Sequence, residues 1–150
     1  MPSDQRTALL FQVATPGLSR RGVRAFAQRL ASAVAGGRAF GCLITGDREV
    51  RRLNRKFRDE DRSTDVLSFP AAAPLNGFLG DLAISFPTAR RQAAEYGLQV
   101  DQEIKILMLH GVLHLLGMDH HTDRGRMARA EAKWRATLGL PRGLIERTGS

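Results

Sequence analysis

The sequence has one cysteine, Cys42, so no disulfide can form within the chain, and a reducing compartment is compatible with that. It has no apolar run of the roughly 20 residues that a spanning helix needs, which excludes a helical membrane protein. Its first residues, Met1 to Thr7, are polar and lack the apolar core of an export signal. The cytoplasm is therefore the expected location, with no membrane partner. No internal repeat, linker or low-complexity tract interrupts the chain. Its 150 residues fit a single domain, 1–150, large enough to bury a core without staples, with a loose tail expected from about residue 140. Lysine is scarce too. The 23 basic residues include only Lys56, Lys105 and Lys133, and the rest are arginine. With 15 acidic residues the net charge is +8. Arginine grips phosphate bidentately and stacks on bases, so a polyanion, nucleic acid first, is the expected partner class. A solvated basic face would give the same count.

Apolar spacing sets the expected elements. Leu9, Phe11 and Val13 alternate as a first strand. Ser19 can cap a helix with the stripe Val23, Phe26, Ala27, Leu30 and Val34, stopped at Gly36-Gly37. Phe40, Cys42 and Ile44 form a second strand, and the helical crossover between the two allows a parallel pair. Gly46-Asp47 opens a helix with Val50, Leu53 and Phe57 inward. Thr64 to Phe69 and Leu79 to Phe86 read as further strands, and the small-residue loop from Ala71 to Gly77 between them is expected to move. Pro87 suits the first turn of a helix that runs to about Tyr96. Asp101 can cap the most apolar helix, which Gly117 stops. Thr122 can cap a last helix with Met127, Ala130, Trp134 and Leu138 on one stripe. The order favours an α+β fold: a small mixed sheet of about four strands, packed with about five helices around a metal cleft.

All four histidines fall between positions 110 and 121. His110 and His114, four apart on a helix, leave the same face one turn apart. Gly117 permits the positive φ that turns the chain back, so His120 can supply a third imidazole. Three histidines that leave a fourth position open form the ligand set of a catalytic zinc site. One buried histidine is usually a satisfied core residue, but three at this spacing are hard to keep neutral and unpartnered. His121 reads as a loop residue or a partner to a ligand, and Asp119 as a group that orients a ligand or simply shapes the turn. Zinc proteases place a glutamate after the first histidine as general base. Here that position is Gly111, so the metal cradle is kept and the protease base is missing. Zinc can still lower the pKa of its water to near 7, enough for an activated ester.

The run His110-Gly-Val-Leu-His114-Leu-Leu-Gly117-Met-Asp-His120 resembles the signature of the YbeY family of bacterial rRNA-maturation endoribonucleases. Leu53-Asn54-Arg55-Lys56-Phe57-Arg58, Thr64-Asp65-Val66-Leu67-Ser68-Phe69-Pro70 and Leu79-Gly80-Asp81 agree in family order. The resemblance implies a zinc-dependent, single-strand-selective endoribonuclease acting in 16S rRNA 3′-end maturation and ribosome quality control. One Zn2+ per chain would be held by His110, His114 and His120, with Arg58 functionally important. Single-stranded rRNA, ribosomal particles and ribosomal or assembly-factor proteins are the implied partners. Physically, Arg58 could hold a scissile phosphate and offset its growing charge, although beside Asp59, Glu60 and Asp61 it reads equally as a surface charge. Thr64, Asp65 and Asp81 read as turn and strand-end residues that shape the cleft. Two alternatives stand beside this one: another zinc hydrolase, such as a peptidase, and a non-enzymatic ribosome assembly factor braced by metal.

Overall fold

A computed structural model describes residues 7–72 and 77–141. Along the chain come β1 (Ala8–Phe11), α1 (Arg20–Ala33), β2 (Ala39–Thr45), α2 (Asp47–Arg58) and β3 (Val66–Pro70), then β4 (Phe78–Ser85), α3 (Phe86–Glu95), α4 (Val100–Leu115) and α5 (Arg126–Leu138). The strands form one mixed sheet in the order β1-β2-β4-β3. β1 and β4 both run parallel to β2, and β3 closes the edge antiparallel to β4. This is the expected α+β architecture, including the parallel first pair joined through α1. Residues 73–76 of the loop expected to move, and residues 142–150 of the expected tail, lie outside the described residues. Among the described residues no helix is long and apolar enough to cross a membrane.

One face of the sheet carries the main core. Leu9, Phe40, Cys42, Ile44, Leu82 and Ile84 point to it and meet Val23, Phe26 and Leu30 of α1 and the apolar length of α4. α4 is buried on nearly every side because it lies between the sheet and the helices α1, α3 and α5. Such a helix can be apolar all round, as its sequence is. Burial also holds the Cys42 thiol far above its ordinary pKa, so it behaves as a small apolar residue. On the other face, α2 packs Val50 and Leu53 against Leu67, Ala83 and Phe69.

Four expected details need correction. Phe57 is not inward: it is 60% exposed, with its ring edge-on to Phe69 at 5.6 Å. The buried place in that turn goes to Asn54, whose side-chain amide donates to the Arg62 carbonyl at 2.9 Å and holds the loop after the helix. α4 begins before Asp101 and is capped by Gln99, which exchanges side-chain and backbone hydrogen bonds with Gln102. Asp101 instead accepts from the Ser19 backbone N–H at 3.2 Å, tying α4 to the start of α1. Thr122 caps nothing: α5 starts after Gly125, and the Asp123 carboxylate accepts from Met127 N–H at 2.9 Å. Phe86 does not end a strand but opens α3, where Ser85 accepts from Thr88 N–H. At the starts of α4 and α5 a nearby side chain satisfies the free N–H groups in place of the residue expected to do so.

Candidate metal centre

The last turn of α4 and the reversal after it bring three histidines together. His110 and His114 leave α4 with ring centroids 4.8 Å apart. Gly117 takes φ +90, and its N–H donates to the His114 carbonyl while Met118 N–H donates to Leu113. This left-handed stop folds the chain back, as expected from the glycine. The His120 ring arrives 5.5 Å from His110 and 5.7 Å from His114. One ligand atom from each of the three lies within 4.8 Å of the others.

The surroundings suit metal binding. His110 Nδ1 lies 2.7 Å from the Glu131 carboxylate, and His114 Nδ1 lies 2.9 Å from the Met118 carbonyl. Both partners accept hydrogen bonds, so both rings carry their proton on Nδ1 and present Nε2 with its lone pair. His120 Nδ1 is buried with no hydrogen-bond partner. Burial, with the neighbouring His110 ring, holds the His114 imidazole below the ordinary histidine value. Burial, then His121 and His110, does the same for His120. Both are therefore neutral at neutral pH, the form that ligates. Three imidazole nitrogens make a donor set for a borderline divalent ion such as zinc.

Asp119 and His121 flank His120 in the turn. Asp119 is exposed, and its carboxylate accepts from the His121 backbone N–H at 3.0 Å, which holds its pKa low. It shapes the turn. His121 is exposed, and its ring lies against that of His120 at 3.9 Å.

A cleft of about 300 Å3 opens beside the imidazoles. His110 and His114 line it from one side and Asn54, Arg58, Thr64 and Ser68 from the other. Arg58, from the last turn of α2, is thus brought to the same cleft as two of the histidines. Its Nη1 donates to the Ser68 carbonyl at 3.4 Å. Ser68 in turn donates through Oγ to the Gly111 carbonyl at 3.2 Å, pinning β3 to α4. Asp65 accepts from the Val66 backbone N–H and from Gln92, a structural use. Asp81 does not shape this cleft: it lies on the opposite sheet face with Leu43, Phe57 and Phe69, in space left by the missing side chain of Gly41.

Two features of the site were not anticipated. Gly111 packs tightly on the sheet, and a Cβ there would stand 2.7 Å from Leu82 Cδ2. The position that holds the base in zinc proteases here faces the core. Glu131 was given no role, although a glutamate four residues after Met127, on the face of α5 that buries Met127 and Leu138, was the available signal.

The comparisons with known proteins bear on the same residues. The family model for Endoribonuclease YbeY matches residues 20–139, from α1 to the end of α5. The chain is 57% identical over 150 residues to Endoribonuclease YbeY of Solibacter usitatus, covering 100% of both chains. It is 46% identical over 132 residues to Endoribonuclease YbeY of Koribacter versatilis, covering 88% of this chain and 86% of that one. Among solved structures it resembles the solution structure of TM1509 from Thermotoga maritima, with a TM-score of 0.59 and 21% identity, covering 87% of this chain and 93% of the other. That likeness concerns the fold.

Proposed function

This chain belongs to the YbeY endoribonuclease family, and from that premise we propose a zinc-dependent enzyme that cuts single-stranded rRNA in maturation of the 16S 3′ end and in ribosome quality control. Cleavage of RNA within the chain is the family's activity, and the names of the relatives favour it over a metal-braced assembly factor. Zinc, the single-stranded preference, the ribosomal substrate and the role of Arg58 are the finer parts of the reading. The observation that carries it is a cluster of three histidines, two of which line one cleft with Arg58.

His110, His114 and His120 would hold the ion. When bound, zinc supplies a Lewis acid and a water acidified to near pH 7. The rest falls to the chain. Arg58 keeps most of its five N–H donors free of the Ser68 carbonyl. A phosphodiester entering beside the imidazoles meets that guanidinium, which binds the ground state and strengthens its hold as negative charge grows on the phosphate. The Ser68–Gly111 bond keeps β3, whose Ser68 carbonyl holds Arg58, at a fixed distance from the histidine helix. The peptidase alternative meets Gly111, which offers no base and has no room for one.

The test is cleavage of a single-stranded rRNA 3′-end fragment and of its duplex form, before and after chelation and with zinc restored. Loss on chelation, recovery with zinc and preference for the single strand are expected, and chelator-insensitive cleavage would refute the metal's role. Arg58 is exposed, so Arg58→Ala should fold normally and cut about 100- to 1000-fold more slowly, the usual effect of removing a charge-stabilising donor. Unchanged turnover in that variant would remove Arg58 from the chemistry.

A further inference from the structure

The feature that the metal reading leaves unused is Glu131. It lies on α5, is 0% exposed, and places Oε2 2.7 Å from His110 Nδ1. A carboxylate out of water costs several kcal/mol unless it is paired and hydrogen-bonded. A helix of this length can be built without one: the neighbouring buried positions on the same face are Met127 and Leu138. Its place is also specific. His114 Nδ1 faces a neutral carbonyl and His120 Nδ1 faces nothing, whereas His110 alone of the three meets a carboxylate.

From this we propose that Glu131 is the positioning residue of the metal centre, acting through His110. An ionised carboxylate only accepts, so it fixes the His110 proton on Nδ1, orients the ring and raises the donor strength of Nε2. It also supplies negative charge beside the three imidazoles, which complements a divalent ion. α5 thereby has a duty at the site although none of its residues is a ligand. The inference rests on the metal reading above, and the experiments separate the two.

The first measurement is zinc affinity by competition with a chromophoric chelator, for the wild type, Glu131→Gln and Glu131→Asp. Circular dichroism and thermal unfolding of the metal-free forms run alongside. Gln keeps the shape and an acceptor oxygen but loses the charge. The expected result is a folded Gln variant that binds zinc roughly 10- to 100-fold more weakly, the range for removal of a ligand's partner, with partial recovery in Asp. The cobalt-substituted protein should show a shifted ligand-field spectrum in Gln, which a merely structural role would not produce. A folded Gln variant with wild-type affinity and spectrum would overturn the proposal. Should the variants fail to fold, long-range 15N–1H correlation of the histidine rings in the zinc-loaded wild type decides instead. Nδ1–H with Nε2 on the metal at His110 supports the role, and the reverse tautomer overturns it. A wild type that binds no zinc would bring down the metal reading and this inference together, whereas zinc binding insensitive to Glu131 brings down only the latter.

Discussion

At the scale of single residues, Gly111 separates this site from that of the zinc proteases. Glycine inside a helix costs up to about 1 kcal/mol relative to alanine, so its presence within α4 needs a reason. The reason is contact: Leu82 of β4 fills the space where a Cβ would be. Gly111→Ala should therefore destabilise, because about 1–3 kcal/mol of overpacking outweighs the propensity gain. Urea unfolding should show a lower midpoint at unchanged slope, and an equal or higher midpoint would contradict the packing argument. Gly111→Glu should unfold the protein rather than create a peptidase, since it would bury an unpaired carboxylate against Leu82.

The histidines give a pH dependence whose sign can be worked out. His114 and His120 titrate below the ordinary 6.5 in the folded chain. Between the folded and unfolded values the unfolded chain holds more protons, so stability rises with pH there. Their contribution is present in full above about 6.5 and is lost as the pH falls from there through the lowered folded values. Melting of the metal-free protein should therefore occur at lower temperature as the pH drops from 8 to 5.5. Protons also compete with metal for the same nitrogens, so zinc affinity should fall in the same direction. A metal-free protein that becomes more stable on acidification over this range would contradict the burial of these rings.

At the scale of elements, α2 is held by a carboxylate that belongs to its first turn. Asp47 accepts from Ser63, from Ser85 and Thr88 at the β4–α3 junction, and from Arg91 of α3. Burial pushes its carboxyl up, but these hydrogen bonds outweigh that and hold it below the ordinary carboxylate value. Since α2 carries Arg58, this knot fixes where the arginine stands relative to the sheet. Asp47→Ala should cost about 1–2 kcal/mol, less than the sum of its bonds because the group is partly exposed and its partners can rehydrate. It should also weaken turnover, whereas a wild-type rate would show that Arg58 does not depend on this anchor.

The elements also show what the sequence could convey. The strands, the stripe of α1, the burial of α4 and the glycine stop at Gly117 were legible, because each depends on spacing within one segment. The helix starts at Gln99 and Gly125 were less so, since several nearby polar residues compete for the same free N–H groups. Phe57 was misread because an apolar residue in register with Val50 and Leu53 looks inward, while the groove it lines on the outer sheet face is open and leaves its ring exposed beside Phe69. The three histidines could be read from one eleven-residue stretch. Glu131, by contrast, meets His110 across 21 residues, and no local pattern announces such a pairing.

At the scale of the whole molecule, the +8 charge has a direction. Along α2, Arg51 is paired with Asp61 and Arg52 with Glu49. Arg55 and Lys56 stand exposed on the helix whose last turn brings Arg58 to the cleft. They suit a strand of RNA approaching the site, where each neutralised phosphate releases counterions. Affinity for a single-stranded oligonucleotide should fall with salt, and Arg55→Ala or Lys56→Ala should each flatten the log–log slope by about 0.7. Variants with the wild-type slope would place the RNA elsewhere on the surface.

The measurement that tests the central claim most directly is metal content and cleavage, side by side, for the wild type and His114→Ala. Each protein would be purified and titrated with zinc, then given a single-stranded rRNA 3′-end fragment. The expected result is about one zinc per wild-type chain with cleavage, and the loss of both in a variant that still folds. A folded His114→Ala protein that cuts the fragment as fast as the wild type would contradict the claim that the histidine cluster is the catalytic metal centre.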